Sequence, residues 1–73
     1  SDTMKTMDYR KVDILTIGQL EPEDLIEIDN EIVNVVEVIA LDEGYSLEVI
    51  NDFGERDIIH CNDFDVFSLF IFD

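Results

Sequence analysis

The only histidine and the only cysteine of this chain are neighbours, His60 and Cys61. A thiol beside an imidazole is the raw material of a nucleophile–base pair, which needs the two groups within hydrogen-bond reach. Adjacency works against that. Arg56 to Cys61 reads as a short strand, and successive strand side chains point to opposite faces. With no second Cys or His, a structural zinc set cannot be assembled. Cys61 therefore reads as a core residue and His60 as an exposed or rim residue. Ser46 and Ser68 have no histidine at motif spacing, and Gly18, Gly44 and Gly54 stand apart as turn residues rather than as a phosphate loop.

Carboxylates are the other chemistry on offer. They cluster at Glu21/Glu23/Asp24, Asp42/Glu43 and Asp63/Asp65. Hard cations take six or more oxygen ligands, and Asp63-x-Asp65 is only a fragment of any such loop, so weak incidental binding of a divalent cation is the most this pattern implies. Paired carboxylates also serve as general acids and bases. Catalysis needs a pocket as well, and 73 residues leave little room for one. No catalytic, metal-ligating or cofactor-binding residue is assigned, and no cofactor is expected.

Nineteen acidic side chains stand against four basic ones, a net charge of −15. Three of the bases, Lys5, Arg10 and Lys11, lie within the first eleven residues, which leaves Arg56 alone with the acids from Val12 onward. Such a surface repels nucleic acid and anionic lipid and attracts cationic partners. It is not the surface of a disordered tail. Disorder requires low hydrophobicity as well as high charge, and 47% of these residues are apolar. A single cysteine fits a reducing compartment, no secretory signal is visible, and no apolar run approaches the ~18 residues of a membrane helix. The expectation is a soluble, cytoplasmic protein with no membrane or direct nucleic-acid partner.

The elements that must position these groups are short and β-branched. The segment 1–11 is polar and without apolar period, and is expected to be flexible; 12–73 is expected to form one small domain. Val12–Ile17 predicts a first strand, broken by Gly18-Gln19. Leu20–Asp24, with Pro22, predicts a loop or one helical turn. Ile26 and Ile28 alternate with Glu27 and Asp29 up to a hairpin tip at Asp29-Asn30 or Asn30-Glu31. Ile32–Leu41 is apolar on both faces: Ile32, Val36, Val38 and Ala40 on one, Val33, Val35, Ile39 and Leu41 on the other. A long strand of this kind either lies between two layers or bends around a barrel. Tyr45–Ile50 alternates with Tyr45, Leu47 and Val49 inward. Arg56–Cys61 and Val66–Phe72 complete the set, joined by a tight connector at Asn62–Asp65. The pattern predicts an all-β fold: a small antiparallel barrel of five or six strands in meander connectivity, with one short helical turn.

Leu20, the run Asp24-Leu25-Ile26-Glu27-Ile28, Asn30-Glu31 and the β-branched strand to Leu41 together resemble the first hairpin of SH3-like small barrels, as found in translation-factor and ribosomal-protein domains. The connector Asn62–Asp65 is similar to their short helical turn. The resemblance spans about Leu20 to Phe72 and consists of hydrophobicity and turns. It implies the SH3-like barrel fold. Many such barrels bind RNA or peptides through basic or aromatic loops; this chain lacks the basic residues, so RNA binding does not carry over, and no functional residue transfers.

Val66–Phe72 is the most aromatic stretch. Phe67, Leu69 and Ile71 share one face and Phe70 and Phe72 the other, so filling a barrel with one leaves the other outside. Phe67, Leu69 and Ile71 are taken as a candidate interaction edge, covered by Val12–Ile17 or by a second copy of the chain. The expected function is a non-enzymatic acidic interaction module that self-associates and presents an acidic face, Glu21, Glu23, Asp24, Glu27, Asp29 and Glu31, to a basic protein partner. Two alternatives stand beside it. One is a nucleic-acid mimic, whose carboxylates must be arrayed as densely as phosphates along one face. The other is a weak divalent-metal-binding protein.

Overall fold

The structure, a computed structural model, describes residues 8–72. Among the described residues six strands, β1 (Tyr9–Thr16), β2 (Leu25–Ile28), β3 (Glu31–Ala40), β4 (Tyr45–Ile50), β5 (Arg56–Cys61) and β6 (Val66–Phe72), form one antiparallel sheet, with a single 3-10 turn at Ile17–Gln19. The fold is all-β, as the alternation predicts. The connectivity is less simple than a meander. Strands β2 to β5 follow one another across the sheet, but β6 leaves β5 and inserts between β1 and β2, giving the order β1-β6-β2-β3-β4-β5.

That insertion forces the sheet to curl. In a flat sheet β5 and β6 would lie four strand spacings apart, about 19 Å. The chain joins them with Asn62–Asp65, folded into a turn in which the Asp65 N–H donates to the Asn62 carbonyl at 3.1 Å and the Asn62 N–H donates to Asp65 Oδ2 at 3.0 Å. A folded four-residue connector does not reach across a flat sheet, so the sheet rolls until its two sides approach. It stops short of a closed barrel: among the described residues β1 and β5 flank the sheet, and no ladder joins them.

Two expectations are corrected by strand pairing. The first strand begins at Tyr9 rather than Val12, with Tyr9, Arg10 and Lys11 opposite Phe72, Ile71 and Phe70. The Tyr9 and Phe72 rings lie 5.5 Å apart. Order here comes from a partner strand at the far end of the sequence, which local composition does not show. The second correction concerns β3. Its register against β4 shifts between Val35 and Glu37, making Val36 the extra residue of a bulge. A bulge reverses the alternation. Val33 and Val35 before it and Val38 after it all reach the core, so the two apolar faces of the sequence belong to two halves of one bent strand.

The core consists of Ile17, Leu20, Ile26, Val33, Val35, Leu47, Val49 and Cys61. One end of the curled sheet is plugged by the 3-10 turn. Thr16 N–H donates to Gln19 Oε1 at 3.0 Å, which tightens the turn. Ile17 is wholly buried, and Gly18 passes so close to Tyr45 that a Cβ there would stand 2.9 Å from the phenol oxygen. Burying Ile17 and Leu20 removes water from this end at about 1.5–3 kcal/mol per side chain.

Candidate functional site

The opposite end is open, for a reason visible in the ladders. The β3–β4 pairing stops at Asn34↔Ile50, so Glu31, Ile32 and Val33 are paired with β2 alone. The β2–β3 hairpin and the β4–β5 hairpin then part, leaving a cleft of about 340 Å³ between their tips. Its floor is apolar: Ile28, Val33, Val49 and Ile59. Its rim carries Asp29 and Glu31 on one side, and Asn51, Glu55, Arg56 and Asp57 on the other.

Both walls are held by their own turns. Ile28 pairs with Glu31, so the first tip has two residues, Asp29 (φ 51°) and Asn30 (φ 67°), both in the left-handed conformation of the twist-matched hairpin turn. The second tip is organised by Asn51. Its Oδ1 accepts from the N–H groups of Phe53 and Glu55, each at 2.9 Å, and its Nδ2 donates to Glu55 Oε1 at 2.8 Å. Gly54, at φ 80°, supplies the positive φ that closes the turn. Four carboxylates therefore rim an apolar floor, carried on turns of defined backbone conformation. The cation among the lining residues is paired: Arg56 Nη1 sits 3.1 Å from Glu48 Oε2.

The acidic face expected from the sequence divides in two. Glu21, Glu23 and Asp24 lie before β2, while Asp29 and Glu31 lie after it, separated by a strand of about 13 Å. Asp24 is half-buried, and its Oδ2 accepts the Glu21 N–H at 2.9 Å, which makes it a turn-forming residue. Glu27 points to solvent between the two groups. Only Asp29 and Glu31 line the cleft. The rest of it, notably Asn51, Glu55, Asp57 and Ile59, is not singled out in the sequence. The one available signal was that two turns fall at the same end of neighbouring hairpins.

The candidate edge Phe67, Leu69 and Ile71 requires correction. Strand β6 is not an edge; β1 covers one side and Leu25 and Ile26 of β2 pair on the other. Phe67 and Leu69 pack against the core, leaving only Ile71 of the three exposed, at 40%. The outward face of β6 is the alternate one, with Val66 and Phe72 each 58% exposed. The true flanks, β1 and β5, share a device. On β1 the Ile14 N–H donates to Asp13 Oδ1 at 2.7 Å; on β5 the Ile58 N–H donates to Asp57 Oδ1 at 3.0 Å. In each case an amide of a flanking strand is taken by a charged neighbour, which blunts the strand as a template for pairing.

His60 and Cys61 point to opposite faces, as their adjacency predicts. His60 is exposed, with Nε2 3.1 Å from the Glu43 carbonyl oxygen, and Cys61 is buried. Burial raises the Cys61 thiol above its ordinary value, and the nearby Asp65 carboxylate raises it further. Among the described residues no group of three or more His, Cys, Asp or Glu side chains converges as a metal centre. No described helix is long and apolar enough to cross a membrane. Comparison with protein-family models, curated proteins and solved structures gave no match to this chain.

Proposed function

We propose that this chain is a non-enzymatic interaction module that presents a preorganised acidic surface to a basic protein partner. The observation that carries the reading is the cleft between the hairpin tips: an apolar floor, a carboxylate rim, one wall ending in a two-residue left-handed turn and the other braced by the hydrogen bonds of Asn51. No described acid is buried, so most of the negative charge acts at long range. Phe67 and Leu69 pack on the core and do not supply a surface for self-association, and one amide on each flanking strand, Ile14 and Ile58, is taken by an aspartate. Nucleic-acid mimicry wants acids arrayed as densely as phosphates, and those around β2 fall into two groups with Glu27 alone between them. The two-residue β2–β3 hairpin and the short connector before β6 support reading the curled sheet as an SH3-like architecture.

The test is affinity capture at low and physiological ionic strength, followed by rebinding with the purified partner. A partner with a basic segment, bound more weakly as salt rises, supports the reading. Rebinding that is indifferent to salt, or partners with no basic segment, would remove it.

A further inference from the structure

The cleft is too small for a folded element and well matched to one side chain. At about 340 Å³ it stands at the lower limit of ligand sites. Its chemistry is divided in a particular way. A purely polar ligand would leave the floor of Ile28, Val33, Val49 and Ile59 unused, and a purely apolar one would desolvate the rim carboxylates without compensation. A long aliphatic stem ending in a cation satisfies both. The rim favours a planar, forked cation, because its carboxylates stand on two separate walls, Asp29 and Glu31 facing Glu55 and Asp57. A guanidinium presents five donors in a fixed fork and is more weakly hydrated than an ammonium. Strand addition, the other common way for a sheet to take a peptide, is disfavoured at β5 by the Asp57 carboxylate on the Ile58 amide.

We propose that the cleft is a recognition pocket for one arginine side chain of a partner protein, with its stem on the apolar floor and its guanidinium between the two carboxylate walls. This rests on the reading of the chain as an acidic interaction module, and the test separates the two. The whole chain, with labelled methyl groups, is titrated by NMR with a capped Gly/Ser peptide carrying a single arginine. Parallel titrations use the same peptide with lysine and with citrulline, which keeps the shape of arginine and removes its charge. The expected result is shifts centred on Ile28, Val33, Val49 and Ile59, with lysine weaker than arginine and citrulline weaker by about tenfold or more. Asp29→Asn with Glu31→Gln weakens the arginine peptide by about tenfold. Asp42→Asn with Glu43→Gln, which removes the same charge at the plugged end, changes it less than about twofold. The exposed positions and the tolerance of Asn for positive φ keep both variants folded, as their amide spectra would confirm. Equal losses from the two pairs would mean diffuse attraction: the pocket falls and the acidic module stands. Capture of a basic partner whose arginine peptides leave these methyls unmoved also overturns the pocket alone. Failure of the peptide and of any basic partner overturns both.

Discussion

The two ends of the curled sheet face the same physical problem and resolve it differently. Rolling a sheet leaves apolar side chains looking out of each end. At one end the chain turns back on itself, and Ile17 and Leu20 close the opening against Tyr45. At the other, the hairpins part beyond Asn34↔Ile50, and Ile28 and Ile59 remain half-exposed beneath a ring of carboxylates. The plugged end contributes to stability through burial. The open end spends less of its apolar surface on the fold and keeps it within reach of a ligand. A chain of 73 residues has little stability to spare, about 4–11 kcal/mol on the usual per-residue scale, so an opening of this kind is tolerated only where the turns hold themselves.

Substitutions can break this contrast, beginning at the plugged end. Ile17→Ala removes a wholly buried side chain and leaves a cavity, at an expected cost of about 2–5 kcal/mol, a large share of the total. Urea denaturation monitored by circular dichroism measures it, and a loss below about 1 kcal/mol would mean that the turn is not a plug. Asn51→Ala acts on the open end. It deletes an acceptor for two amides and a donor to Glu55 on a solvent-accessible tip, for an expected loss of about 1–2 kcal/mol. Its sharper signature is dynamic: the Phe53 and Glu55 amides should exchange faster than in the wild type while those of Ile28 and Glu31 across the cleft keep their rates, and a uniform acceleration would contradict an independently braced wall. The smallest effect is expected from pH. The folded state holds the Cys61 thiol protonated more tightly than the unfolded chain does. Above the ordinary thiol range of about 8.5–9 the unfolded chain therefore binds fewer protons than the folded one, and stability falls as pH rises until the folded thiol also ionises. The contribution is fully present below that range. Thermal melts from neutral to alkaline pH should show the decline in the wild type and a shallower one in Cys61→Ala; parallel curves would place the alkaline sensitivity elsewhere.

Most of the fold was legible because β-strand alternation is a local property. Tyr45, Leu47 and Val49 face inward as their spacing predicts, and Asp29-Asn30 is the hairpin tip for the reason that Asn and Asp tolerate positive φ. What escaped was non-local. The bulge at Val36 changes which half of β3 faces the core, and its register depends on the β4 partner. The inward face of Val66–Phe72 was undecidable from the segment, since both faces are apolar, and the sheet order places Phe67 and Leu69 inside. The cleft escaped for a related reason. Its walls are the tips of two consecutive hairpins, and although both turns fall at the same end, neither hairpin records that it parts from the other to leave an apolar floor between them. The acids drew attention by number, whereas the structure distinguishes Asp29, Glu31, Glu55 and Asp57 by the apolar floor beneath them.

The β1–β6 ribbon has a kinetic meaning. Tyr9 and Phe72 are partners roughly sixty positions apart, whereas Ile28 and Glu31 meet across two residues. On a logarithmic loop-entropy scale, closing the longer loop from an unstructured chain costs about 3 kcal/mol more than closing the hairpin. The β2–β5 meander can assemble from neighbours in sequence, and once assembled it carries β6 back toward β1, shortening the gap the ribbon has to close. The ribbon is thus the latch of the fold and not its seed: the last pairing to gain by forming, and the one whose integrity reports that the rest of the chain is in place.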